Sequence, residues 1–143
     1  MKLQIALFML TRNSDQFNYR IYYEDTDAGG VVYYANYLKF FERARTDFLR
    51  NIGISQAILA QIENIIFVVK RCTIEYHHPA RLDDEINVSV KIKEIHKVSL
   101  TMTQEITKSA QLIAQLEVQI VCLNQQNFKL TRLPQKLIDL IHV

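Results

Sequence analysis

Residues 20–37 read RIYYEDTDAGGVVYYANY. An apolar, strand-like lead runs into a turn carrying Glu24, Asp25 and Asp27, then passes Gly29 and Gly30 before an aromatic run into a helix. Asp side chains bond nearby backbone in turns, and glycine supplies permissive dihedrals. A carboxylate just ahead of a helix N-terminus is placed for chemistry. It can attack or activate water, while the helix end holds developing negative charge.

Downstream, Leu38, Phe41, Ala44, Phe48, Leu49 and Ile52 follow helical spacing, predicting a helix over 35–52 with Asn36 as N-cap and Gly53 just past its end. Ser55 is expected to cap a second short helix to about Gln61. Upstream, Phe17–Glu24 reads as a first strand. Strands are expected at 66–78, 85–93, 99–107 and 111–123, and a last one near 129–133. In the second of these, Ile86, Val88, Val90 and Ile92 alternate with polar residues. Leu100, Met102 and Ile106, and then Ala114, Leu116, Val118, Ile120 and Cys122, are expected inward on the next two. Pro134 suits the start of a C-terminal helix over 135–141.

One long amphipathic helix and a run of half-buried strands make an α+β domain, with an antiparallel meander packed over the helix. Exposed sheet edges point to an oligomer.

The 143 residues are most simply one domain, expected over 17–143, behind an extension over 1–16 that is disordered or packed on the surface. MKLQIALFML is too short to span a bilayer, and no small-residue cleavage site follows it. Met9 is a candidate natural start. Seventeen basic against 15 acidic residues, net +2, is too balanced to argue for nucleic acid or membrane binding. Cys72 and Cys122 lie in apolar runs and read as reduced, buried core thiols of a cytoplasmic protein.

Asp27 has a plain alternative as a turn residue satisfying local amides. Asp25 and Asp27 with Glu24 make only a weak divalent-metal set, since hard cations want more oxygen ligands. Asp83, Asp84 and Glu85 read as a solvated turn. His77 and His78 point to opposite faces of a strand, and His96 and His142 read as surface residues. Lys91, Lys93, His96 and Lys97 cluster around one turn, either as a solvated strand end or as a grip on a phosphorylated carrier.

The opening stretch, with FFERARTDFLRNIGIS (40–55) and FVVKRCTIEYHHPARLDDEI (67–86), resembles the hotdog-fold acyl-CoA thioesterases. Within the 4-hydroxybenzoyl-CoA thioesterase family it is most similar to the Tol-Pal-associated, YbgC-type members, over roughly residues 19–134. The resemblance implies a long central helix wrapped by an antiparallel sheet, and homodimers or homotetramers with active sites at the dimer interface. It implies hydrolysis of an acyl-CoA without a cofactor, and possible traffic with acyl carrier protein. By position, Asp27 matches the catalytic carboxylate. Tyr34 matches the helix-start residue whose backbone amide polarises the thioester carbonyl, at a position where YbgC-type members usually carry His. His96 and Lys97 fall where the family often contacts CoA phosphates.

A thiolate leaves without a strong acid, so one carboxylate suffices for such a reaction. A hydratase would need a His near the helix start, and none lies between residues 1 and 76. A non-catalytic partner that only binds acyl thioesters or acyl carrier protein in lipid metabolism is the other class.

Overall fold

The computed structural model describes residues 14–141. Strand β1 spans Ser14–Arg20, and helix α1 spans Tyr37–Asn51. A short helix α2, Gln56–Ile58, continues into a wider turn over Leu59–Glu63. Strands β2 (Ile65–Tyr76), β3 (Glu85–Ile95), β4 (Ser99–Lys108) and β5 (Gln111–Asn124) precede helix α3, Gln135–Leu140.

The five strands form one antiparallel sheet in the order β1-β3-β4-β5-β2. Only β3, β4 and β5 make the expected meander. The chain leaves β2 at one edge and crosses to β3 beside β1, so β2 lies against β5 in the register Ile74↔Leu116. The segment 129–133 contributes a single bridge, Leu130↔Leu123, in place of the expected last strand.

The sheet's inner face is the alternating set. Ile86, Val88, Val90 and Ile92 are buried, as are Leu100, Met102 and Ile106, and Ala114, Leu116, Val118, Ile120 and Cys122. Tyr37, Phe40, Phe41, Ala44, Phe48, Leu49 and Ile52 bury the matching face of α1 and its end. Each fully buried Phe contributes about 1.5–3 kcal/mol. Leu38, expected in that face, is 41% exposed. The other five expected positions, Phe41, Ala44, Phe48, Leu49 and Ile52, are buried; Tyr37 and Phe40 join them, and Leu38 sits at the border of the stripe.

Gln104 continues the inward alternation of β4 as a polar residue, 1% exposed. Its Nε2 donates to the Phe41 carbonyl at 3.0 Å and the Ser89 carbonyl at 3.3 Å. Its Oε1 accepts from Arg45 at 2.9 Å. One amide thus ties the middle of α1 to β4 and β3.

Several local expectations hold. Gly53 has φ +91° just past α1, and the Ser55 hydroxyl accepts from the Ile58 amide at 3.3 Å. Others change. The first strand begins at Ser14 and stops at Arg20, because Tyr23–Asp25 coil into a 3-10 turn. Cys72 lies exposed on the edge strand β2, whereas Cys122 is buried; both are free thiols. Burial pushes the Cys122 thiol up to about 11. Residues 1–13 and His142 lie outside the described residues.

Candidate active site

The stretch 20–37 folds into a tight loop in front of α1. A bridge pairs Thr26 with Val32, and the Asp27 amide donates to the Val31 carbonyl at 2.9 Å. The Gly30 amide returns to the Asp27 carbonyl at 3.0 Å, with Gly30 at φ +76°. That left-handed conformation favours glycine.

The Asp27 carboxylate is exposed. Its Oδ1 accepts from the Gly29 amide at 2.8 Å, the turn geometry of the plain reading. Among the described residues Oδ2 accepts no hydrogen bond. One oxygen of this exposed side chain is therefore anchored and the other is not, within the described residues.

Asp25 is the loop's internal fastener. Its Oδ2 accepts from the Tyr22 amide at 2.8 Å, and its carbonyl accepts from the Tyr33 amide and from Asn36 Nδ2, both at 2.9 Å. Asn36 is helical (φ −70°, ψ −21°) and caps nothing with its side chain. Its expected capping role gives way to tying the helix start to the turn, because Tyr34–Asn36 form a 3-10 turn that enters α1 directly. The Tyr34 amide begins that turn. Among the described residues it has no acceptor, the ordinary condition of a first helical N–H.

The loop rests on the segment between β2 and β3. The Val32 amide donates to the Ala80 carbonyl at 2.9 Å, Val31 bridges Arg81, and the Ala80 amide donates to the Tyr37 hydroxyl at 3.0 Å. Burial raises the Tyr37 phenol above its ordinary value; the Ala80 amide opposes this, and the charges of Asp84 and then Asp27 add to it. Asp84, expected in a solvated turn, has a side chain only 13% exposed and a 2.6 Å ion pair with Lys108.

Tyrosines wall the loop. Tyr33 and Tyr34 have ring centroids 4.8 Å apart, Tyr34 meets Tyr76 edge-on at 6.4 Å, and Tyr37 meets Tyr76 at 5.6 Å. The Tyr76 hydroxyl donates to the Tyr34 carbonyl at 2.8 Å. Neither Tyr37 nor Tyr76 was legible as a site residue, since each meets partners about 40 residues away and local spacing carries no trace of them.

His96 and Lys97 are exposed in the β3–β4 turn. His96 Nε2 lies 3.0 Å from Glu94 Oε2, and Lys93 pairs with Glu117 at 2.6 Å. This basic turn is not brought to Asp27 within the chain. The Asp27 loop adjoins the start of β3, and the turn follows its end, 11 residues on. At about 3.3 Å per residue they stand on the order of 30 Å apart. His78 Nδ1 lies 3.0 Å from the Leu112 carbonyl, and His77 lies 3.8 Å from Glu75. Among the described residues no group of three or more His, Cys, Asp or Glu side chains could hold a metal ion. No helix among them is long and apolar enough to cross a membrane.

The sequence pattern of the thioesterase-like superfamily matches residues 22–141, from the 3-10 turn to the end of α3. The chain belongs to the thioesterase-like superfamily. Within it, this chain is 44% identical over 120 residues to an acyl-CoA thioester hydrolase, YbgC, of Escherichia coli, covering 83% of this chain and 89% of that one. It is 36% identical over 130 residues to the acyl-CoA thioesterase YbgC of Haemophilus influenzae, covering 91% and 96%. A probable thioesterase from Bartonella henselae superposes with a TM-score of 0.81 at 35% identity, covering 85% of this chain and 99% of that one. A 1,4-dihydroxy-2-naphthoyl-CoA thioesterase from Synechocystis, at 24% identity, has the same fold with a TM-score of 0.82. The chain shares the α+β hotdog architecture of these thioesterases, and it is a thioester hydrolase.

Proposed function

We propose that the protein hydrolyses an acyl-CoA thioester to a carboxylic acid and CoA, with Asp27 as the catalytic carboxylate and the Tyr34 amide as oxyanion donor. The observation that carries this reading is the pairing, across one tight loop, of a half-anchored carboxylate with a first helical amide that has no acceptor among the described residues. Asp27 either activates a water that attacks the carbonyl, or attacks it directly to form a mixed anhydride that water then hydrolyses; in both routes the oxyanion takes the Tyr34 N–H and the helix dipole, and the thiolate departs. No cofactor enters.

The same reading makes the protein a cytoplasmic single-domain homodimer, able to pair further into a tetramer. Strand β2 is a 12-residue edge, with Val69 52% exposed, and unpaired edges of that length favour pairing with a second copy. The basic turn at His96 and Lys97 would then serve the neighbouring copy's site, gripping CoA phosphates.

The test is thiol release from a panel of acyl-CoAs of varied chain length, with Asp27→Ala alongside. Asp27→Ala is expected to lower kcat by about 10²–10⁴-fold with an unchanged melting temperature. Normal activity in a folded Asp27→Ala protein would put a non-catalytic binder of acyl thioesters or acyl carrier protein ahead.

A further inference from the structure

Residue 34 is gripped on both sides. The Asn36 amide donates to the Tyr33 carbonyl at 2.8 Å, and the Tyr33 amide donates to Asp25 at 2.9 Å. The second bond holds the preceding peptide, and the first sits on the planar peptide that carries the Tyr34 N–H. The next peptide is held from another element altogether. Tyr76, the last residue of β2, donates its hydroxyl to the Tyr34 carbonyl at 2.8 Å. Only two soft dihedrals join the two planes at the Tyr34 α-carbon, so pinning both planes leaves little freedom for the amide between them.

The Tyr76 ring is itself steadied. It meets Tyr34 edge-on and packs against Tyr37, and the Tyr37 hydroxyl is fixed by the Ala80 amide. The Tyr76–Tyr34 bond is solvent-exposed. A neutral hydrogen bond open to water contributes little to stability, so its main consequence is the direction of the helix start. We infer that Tyr76 is a positioning residue, which aims the Tyr34 amide at the oxyanion by clamping the Tyr34 carbonyl. The inference rests on the thioesterase reading above and adds to it a residue 42 positions from the amide it serves.

Tyr76→Phe deletes the hydroxyl and keeps the ring. It is expected to lower kcat about tenfold, since small misplacements of a reacting group cost one to two orders of magnitude, with KM within about twofold of wild type. The second readout is the isotope-edited infrared band of a carbonyl-labelled acyl-CoA bound to the Asp27→Ala protein, where turnover is slow. That band is expected below the free-ligand frequency, and to move back towards it in the Asp27→Ala, Tyr76→Phe double variant. A Tyr76→Phe kcat within twofold of wild type overturns the inference. So does a lower kcat with an unmoved carbonyl band, which would mark a merely structural effect. If Asp27→Ala hydrolyses acyl-CoA at the wild-type rate, the underlying reading fails first and takes the inference with it.

Discussion

The Gly29 amide donates to Asp27 Oδ1 at 2.8 Å, and a Cβ at Gly29 would stand 3.1 Å from that oxygen. A methyl group there must push the carboxylate by a few tenths of an ångström. Gly29→Ala is therefore expected to lower kcat by roughly 3- to 10-fold while the fold is nearly untouched. Gly30 offers the contrast. Nothing lies within 4 Å of its Cβ position, but its φ is +76°. Gly30→Ala should cost about 1–2 kcal/mol of stability through backbone strain. Steady-state kinetics and thermal melts on the two variants separate the effects, and equal behaviour would show that the Asp27 contact has no bearing on turnover.

Lys97 tests the assembly. Lys97→Ala is expected to raise KM for acyl-CoA and leave kcat intact, with little change on a short thioester lacking the nucleotide. Mixed dimers decide whose site it serves. Combining Asp27→Ala chains with Lys97→Ala chains should regenerate one wild-type site per heterodimer, because Asp27 and Lys97 lie at opposite ends of β3 in one chain. If mixing leaves KM as high as in the Lys97→Ala homodimer, the turn does not serve a neighbour.

Gln104 and Arg45 form a buried polar tie. Gln104→Leu removes donors from the Phe41 and Ser89 carbonyls and the acceptor of Arg45. Burial already disfavours the charged form of that guanidinium. The loss is expected at about 1–3 kcal/mol in urea unfolding. Adding Arg45→Met should recover part of it, because the stranded cation is gone. Fully additive losses in the double variant would refute the coupling.

Asp84 gives a pH dependence. Burial alone would raise its carboxyl, but the Lys108 hydrogen bond and the Arg81 amide outweigh it and hold the group below its ordinary value. A depressed folded pKa stabilises above the unfolded value, about 3.9, and that contribution fades as pH falls through the folded one. Lys108→Ala should therefore be less stable than wild type at pH 7, with a gap that narrows below about pH 4. Denaturant titrations at both ends check this, and a gap that stays constant would reject the linkage. Because Asp84 anchors the turn under Val31 and Ala80, the acid-side loss should reach the Asp27 loop.

The strand alternation of 85–92 and 114–122 was legible because a half-buried strand writes its face into every second residue. Gln104 fell outside that reading because a buried amide looks polar until its partners are known. The helical face through Phe41, Ala44, Phe48, Leu49 and Ile52 was legible too, and only Leu38, at its border, is exposed. Cys72 sits in an apolar run, yet that run is an edge strand and its thiol is exposed.

By itself the sequence determined the long helix, the antiparallel strands and the acidic loop with its two glycines, since each is encoded by neighbours within a few residues. The 20–37 stretch also carried enough specific positions to identify the family. The tertiary structure alone decided that β2 crosses the meander to the far edge, that Asn36 fastens the turn instead of capping, and that Tyr76 reaches Tyr34. It also set the basic turn a sheet length away from Asp27 within one chain. These are contacts between residues some ten to 60 positions apart, and no local periodicity records them; they exist only once burial of the two apolar faces has fixed the register of every strand against the helix.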